Sequence, residues 1–338
     1  MNLSRALIEA KVFSGEGLSR EEILSLAGCA GEELVRVRAL AGEVTRRFHG
    51  RRVDLCSIIN ARSGLCSEDC RFCAQSARYR TGAAVYPLID AAAALAKARR
   101  MEAAGAGRFS LVTSGRGITG RDFETVLDVF RILHAETGLS LCASLGIIDG
   151  EQARQLKEAG VSTYHHNLET GRSFFPQICT THSYDERVAT IRAAQGAGLA
   201  VCSGGIIGMG ESLAQRMEMA LEIRKLGVNS VPLNVLNPIP GTPLANAKPL
   251  SPEEILKTIA LFRLVLPRAT VRLCGGREPG LGERQAEAFQ YGINGLMVGN
   301  YLTTRGDGME RDLAMLAAAG LAPRAACGVP GTGTVDPE

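Results

Sequence analysis

The chain has 338 residues, enough for one large α/β domain or two of average size, and its 46% hydrophobic residues can fill a sizeable core. Its 38 Lys and Arg against 35 Asp and Glu leave a net charge of +3 with no long basic run, so an electrostatic grip on nucleic acid or on a membrane surface is not indicated. The N-terminal stretch MNLSRALIEAKVFSGEGLSREEILSLAG is charged throughout and lacks the apolar core of a signal peptide, and no apolar run reaches the length of a membrane span, which predicts a cytoplasmic protein.

In chain order, residues 1–50 read as capping helices. From Val53 onward, short β-branched or apolar runs alternate with longer helix-like stretches: VDLCSIINA from Val53, RFSLVTSG from Arg108, LSLCASLG from Leu139, STYHHNLE from Ser162, AVCSGGI from Ala200, SVPLNVLN from Ser230, TVRLCGG from Thr270 and GLMVGN from Gly295. Between the sixth and seventh runs, SPEEILKTIALFRLVLP offers Ser251 as a cap, Pro252 in the first turn, and Ile255, Ile259 and Phe262 at helical spacing. Strand and helix alternating eight times predict an α/β protein of the (β/α)8 TIM-barrel type, one domain over residues 51–320. The Gly/Pro-rich CGVPGTGTVDPE closes a segment, 321–338, expected to be a flexible tail.

Ten cysteines in a reducing compartment are poor disulfide candidates and better metal or redox candidates where they cluster. Cys29, Cys56, Cys179 and Cys327 stand alone in the sequence and read as small hydrophobes. GLCSEDCRFCAQS, from Gly64, instead places Cys66, Cys70 and Cys73 within eight positions. A closed structural metal site takes four protein ligands, and no Cys or His follows within the next sixty residues. Either a distant residue completes a zinc site, or a three-thiolate centre keeps one position open, as catalytic centres do. The segment follows the first strand, and a barrel carries its chemistry at the C-terminal ends of its strands.

CSEDCRFC resembles the CxxxCxxC motif of the radical S-adenosylmethionine (AdoMet) enzymes, with its aromatic residue before the last cysteine. GLCSEDCRFCAQSARYRTG, YHHNLET, VCSGGIIGMGE, VPLNVLNPIPGTPL and VRLCGGRE together resemble the biotin synthase family, in that family's order and spacing from about residue 50 to about residue 320. The resemblance implies that Cys66, Cys70 and Cys73 hold a 4Fe-4S cluster whose fourth iron takes the amino and carboxylate groups of AdoMet. It implies a substrate, dethiobiotin, into which sulfur is inserted, a reductant such as flavodoxin or ferredoxin, and a homodimer. Phe72 is expected against the adenine, Arg187 at the AdoMet carboxylate, and Gly204, Ile206 and Gly208, in GGIIGMGE, where backbone approaches the adenine. Asn167 and Glu169, two apart on the fourth strand and so facing one way, correspond to positions for the substrate's ureido ring and the AdoMet ribose. Asn234 corresponds to a dethiobiotin-binding residue. Of His165 and His166 one must face outward, and neither is given a role.

The same resemblance implies a second, auxiliary iron-sulfur cluster that donates the sulfur, and here the chain departs from the family pattern of three Cys and one Arg. Cys142, Cys202 and Arg272 match three of those positions, but the fourth is Ser110, whose hydroxyl is a far weaker iron ligand than a thiolate. Cys274, two residues beyond Arg272, faces the same side of its strand. The inward thiolates then become Cys142, Cys202 and Cys274, suited to a four-iron cluster carrying an additional sulfide. The alternative is a 2Fe-2S cluster with Ser110 or Arg272 as ligand and Cys274 merely packed. Two further readings stay open: a hydrogenase-maturase-like or methylornithine-synthase-like radical enzyme without sulfur insertion, and a noncatalytic metal module.

Overall fold

The computed structural model describes residues 5–324 apart from 300, 305 and 307, so Cys327 and most of the expected tail lie outside the described residues. Three helices come first, α1 (Arg5–Ser14), α2 (Arg20–Ser25) and α3 (Gly31–His49). Ten strands follow: β1 (Arg52–Arg62), β2 (Arg108–Thr113), β3 (Ser140–Ser144), β4 (Thr163–His165), β5 (Ala200–Cys202), β6 (Gly205–Ile207), β7 (Ser230–Val235), β8 (Thr270–Leu273), β9 (Gly295–Met297) and β10 (Ala322–Pro323). Strands β1-β2-β3-β4-β5-β7-β8-β9 pair side by side, all parallel, and β9 returns to β1, closing an eight-stranded barrel of TIM type. The short β10 pairs with the start of β1 through Arg52–Ala322 and Val53–Pro323, so residues 322–323 are tied to the barrel.

The outer layer is α4 (Ala91–Ala103), α5 (Gly120–Glu136), α6 (Gly150–Glu158), α7 (Tyr184–Gly196), α8 (Leu213–Lys225), α9 (Pro252–Val265), α10 (Arg277–Leu281) and α11 (Met309–Ala318). Local chemistry starts several of them: Ser183 with Glu186, Ser212 with Gln215 and Asp149 with Gln152 form capping boxes. In α9 the Ser251 hydroxyl accepts from the Glu254 amide, Pro252 stands in the first turn, and Ile255, Ile259 and Phe262 are fully buried, as their spacing predicts.

The fifth sequence run does not form one strand. It breaks between Cys202 and Gly205, and β6 leaves β5 to pair with β7 alone. At Gly204 an added Cβ would sit 1.9 Å from the Pro232 carbonyl oxygen, and at Gly205 another would sit 2.3 Å from that of Glu169. Only glycine allows the segment after β4, the start of β6 and β7 to approach this closely.

Candidate active site

The three-cysteine loop is closed on itself by backbone bonds, Cys66 donating to Gln75 (3.0 Å) and Ala77 to Cys66 (2.8 Å). The buried Gln75 side chain accepts from the Gly64 amide (3.2 Å), and Leu65 takes a left-handed φ of 51°. This arrangement presents Cys66, Cys70 and Cys73 to a chamber of about 210 Å³ at the barrel mouth, which Phe72, Asn167, Glu169 and Arg187 also line. Three thiols from one loop, with the facing wall made of a guanidinium, a carboxylate and an amide, fit a cluster held at three irons with a zwitterionic ligand on the fourth.

The expected alternation of Asn167 and Glu169 along a strand needs correction. Strand β4 ends at His165, and Glu169 has φ 70°, so neither residue sits in regular strand. They face one way for another reason. The Glu169 amide and carbonyl bond Gly204 and Ile206 across a single parallel bridge, and the Asn167 amide nitrogen donates to the Glu169 carboxylate at 3.3 Å. Arg187, on α7, is buried, not a solvated helix charge; it donates to the Asn167 carbonyl at 2.8 Å and lies 3.6 Å from Glu169. Its Nε is buried without a partner, leaving one donor for an incoming acceptor.

Beneath the mouth, and sharing with it Phe72, His165, Asn167 and Glu169, lies a deeper chamber of about 320 Å³. Asn234 and Ile206 line it, whereas Gly204 and Gly208 line neither chamber, their glycine character being set by strand packing and by a turn at φ 96°. Each asparagine spends one donor and one acceptor on the protein. Asn167 Oδ1 accepts from the Gly204 amide (3.1 Å), while Asn234 donates to the Gly205 carbonyl (3.2 Å) and accepts from the Gly275 amide (3.0 Å). An amide side chain has two donors and two acceptor sites, so each keeps one of each, with its orientation fixed.

The deep chamber is floored by Cys142, Cys202 and Arg272, with Ser110 and His165 above. Arg272 donates to Asp54 at 2.5 Å, to the Ser230 hydroxyl at 3.0 Å and to the Cys202 sulfur at 3.9 Å, while its Nε is buried without a partner. Burial alone would lower its pKa, but the Asp54 carboxylate and nearby thiols leave it raised, so it stays a cation. Burial also pushes Cys142 upward. Cys202 goes the other way: against burial, His165 and then Arg272 bring its thiol down to about 7. Cys274 is fully buried, its thiol 3.8 Å from the Arg272 carbonyl, and does not line the chamber.

Several residues given no site role by the sequence lie in or beside the chambers. Cys179 does not stand alone: its sulfur lies 3.8 Å from that of Cys70 and 3.3 Å from His182 Nδ1, which in turn meets Glu68 at 2.5 Å. Among the described residues, Cys70, Cys179 and His182 form the one group of donors close enough to share a single ion, and Cys66 and Cys73 are outside it. His165, half-buried, lines both chambers beside Cys202, and the buried His166 lines the mouth chamber, so the expectation that one of the two faces outward is not met. Cys56, on β1, lines the deep chamber. Apart from the three-residue spacing of Cys179 and His182, contiguous spacing gave no signal for these, since Cys70, Glu68 and Cys202 lie on other elements.

Residues 62–235 match the Radical SAM superfamily model, and residues 232–322 match the Biotin and Thiamin Synthesis associated domain. No helix among the described residues is long and apolar enough to cross a membrane. In fold the chain is similar to methylornithine synthase (PylB), with a TM-score of 0.82 at 20% identity over 94% of this chain and 97% of that one. It is also similar to the [FeFe]-hydrogenase maturase HydG, with a TM-score of 0.80 at 18% identity over 94% and 74%. In sequence it is 59% identical to the biotin synthase of Pelotomaculum thermopropionicum over 91% of this chain and 96% of that protein. To the biotin synthase of Heliobacterium modesticaldum it is 54% identical over 93% and 96%. With identity this high across nearly the whole barrel, thiols at its mouth and thiols on its floor, the chain belongs to the biotin synthase family of radical AdoMet enzymes.

Proposed function

We propose that this chain forms biotin from dethiobiotin inside the paired chambers, with AdoMet at the mouth and an auxiliary iron-sulfur cluster on the floor. The placement of thiols at both ends of one enclosed space carries the reading. Asn167 lines both chambers and Asn234 the deeper one. When bound, the cluster of Cys66, Cys70 and Cys73 together with AdoMet supplies a 5′-deoxyadenosyl radical that abstracts hydrogen from an unactivated carbon.

The chain's own residues position and enclose. Arg187, with its unpartnered Nε, receives the AdoMet carboxylate. Glu169 faces the ribose, and Phe72 and Ile206 flank the adenine. The remaining donor and acceptor of Asn167 and Asn234 match a cyclic urea, which offers both. Cys142 and Cys202 serve the auxiliary cluster, read as a four-iron centre with an additional sulfide, and Arg272 balances its negative charge as a cation; Cys274, expected as the third thiolate, does not line the deep chamber. The tie of Arg272 to Asp54 favours charge balance over ligation. Flavodoxin or ferredoxin supplies electrons, and the working unit is a homodimer, as the family resemblance suggests. The fold likeness to PylB and HydG carries no activity at 18–20% identity.

The test is anaerobic reconstitution followed by iron and sulfide counting, Mössbauer spectroscopy, and assay of AdoMet cleavage with and without dethiobiotin. Iron beyond the AdoMet cluster, dethiobiotin-stimulated cleavage and biotin as product are expected. Failure of dethiobiotin to stimulate cleavage would refute the assignment.

A further inference from the structure

A cysteine that only fills space packs among apolar side chains. Cys29 does so, whereas Cys56, Cys142, Cys202 and Cys274 are buried outside the apolar core. Cys56 faces the deep chamber with Cys142 and Cys202.

The strand register sharpens this. In a barrel of this type, alternate strands contribute to one layer of side chains, and the register climbs as the strands tilt. Cys56 on β1 pairs with Arg108, which pairs with Ser140, two residues before Cys142 on β3. The row through Cys142 passes Thr163 to Ala200, two residues before Cys202 on β5. Cys202 pairs with Ser230, which pairs with Thr270, two residues before Arg272 on β8. Arg272 pairs with Gly295, which pairs with Asp54, two residues before Cys56. The same step of two recurs four times and closes on itself. Cys56, Cys142, Cys202 and Arg272 therefore form one layer, a ring of three thiols and one guanidinium. Ser110 belongs to the next layer up with His165, and Cys274 lies two residues above Arg272.

We infer that Cys56 supplies a thiolate ligand to the auxiliary cluster, taking from β1 the role that the Ser110 hydroxyl on β2 is unfit to fill. The inference rests on the proposed function and adds a ligand that the sequence reading assigned to packing. The chemistry agrees: soft thiolates hold iron-sulfur clusters, whereas a hydroxyl is a hard and weakly acidic donor.

The experiment uses the full chain, reconstituted anaerobically with iron and sulfide, comparing wild type with Cys56→Ala and Cys56→Ser. Iron and sulfide are counted, Mössbauer spectra are recorded, and alkylation of Cys56 is followed by mass spectrometry before and after reconstitution. We expect Cys56→Ala to lose auxiliary iron while the iron of the three-cysteine loop, resolved by its AdoMet-sensitive spectrum, remains and reports an intact barrel. Cys56→Ser should keep the side-chain volume yet shift or lose the auxiliary signal, and wild-type Cys56 should be shielded from alkylation only after reconstitution. Full auxiliary iron with an unchanged spectrum in Cys56→Ala, or alkylation of Cys56 as fast after reconstitution as before, overturns the inference and leaves the proposed function standing. A wild type holding no iron beyond the AdoMet cluster overturns both.

Discussion

Whether Arg272 binds metal or balances charge can be decided by comparing its loss with that of its carboxylate partner. Asp54 lies between two guanidiniums, Arg272 at 2.5 Å and Arg108 at 3.1 Å. Arg272→Met removes the bonds to Asp54 and Ser230 but leaves Asp54 paired with Arg108. No buried charge is orphaned, so the expected cost is that of a lost charge-assisted hydrogen bond, about 2 kcal/mol. Asp54→Asn strips both guanidiniums of the carboxylate they share and leaves buried Arg272 unpaired beside the half-buried Arg108, which should cost about 3–5 kcal/mol. At roughly 2 °C per kcal/mol for a domain of this size, the melting temperatures should fall by about 4 °C and about 6–10 °C. Calorimetry of the metal-free, reduced protein measures both shifts, and iron counting after reconstitution measures the rest. A charge-balancing Arg272 predicts that Arg272→Met retains auxiliary iron. The reasoning fails if Arg272→Met is the more destabilising of the two, or if its iron falls to that of the AdoMet cluster alone.

Other outcomes follow from the same geometry. Replacing Cys66, Cys70 or Cys73 by Ala should abolish 5′-deoxyadenosine formation under strong reductant, which product chromatography checks; appreciable product would contradict their assignment. Asn167→Ala and Asn234→Ala should each weaken dethiobiotin binding by about 1–3 kcal/mol, the cost of an unpaired buried polar group, and titration calorimetry on the folded fraction measures this. Cys274→Ala should leave biotin formation largely intact, because that thiol does not line the deep chamber, and Ser110→Ala should be mild; loss of biotin with AdoMet cleavage persisting in Cys274→Ala would restore Cys274 as a ligand, and a severe Ser110→Ala would support a 2Fe-2S cluster with a serine ligand. His49 is held down to about 4 by burial and by Arg263. Its folded value lies below the unfolded 6.5, so stability is full above pH 6.5 and declines as pH falls toward 4. Since the ring is only partly buried, wild type should lose about 1 kcal/mol more than His49→Gln between pH 7 and pH 5 in denaturant unfolding, and parallel curves would refute this.

How far the sequence could be read depended on whether the relevant physics is local. The start of α9 was legible because Ser251, Pro252 and the Ile255–Ile259–Phe262 stripe act within a few residues of one another. The barrel was legible as eight apolar runs, though one run hid the break at Gly204. That break depends on the Pro232 carbonyl, which no neighbouring residue announces. Asn167 and Glu169 were recognised as site residues on incorrect geometry: periodicity put them on a strand, whereas a bridge to Gly205 and a left-handed Glu169 orient them. Cys56 and Cys179 were taken for packing residues because each looks solitary along the chain. Cys179 meets Cys70 across a gap of 109 positions, and Cys56 joins its layer only when the register of the whole closed sheet is known.

That layer also bears on the direction from which sulfur must come. Strand β1 carries Cys56 near its start and delivers the three-cysteine loop just past its end, and the six residues from Cys56 to Arg62 span roughly 20 Å at the usual rise of a strand. The two thiol sets therefore lie at opposite ends of one enclosed space. Under the proposed function, a substrate held by Asn167 and Asn234 would have the mouth, where the radical would form, on one side and the floor on the other. Sulfur entering from the mouth would have to pass AdoMet and the loop that binds it, whereas a donor on the floor already faces the substrate from the side away from AdoMet. The cationic Arg272 in the floor layer suits an anionic donor there and offers nothing to the uncharged ring of dethiobiotin. On this argument the closed barrel would set hydrogen abstraction and sulfur donation on opposite sides of the substrate, and abstraction would come first because only the carbon radical it leaves can take up sulfur.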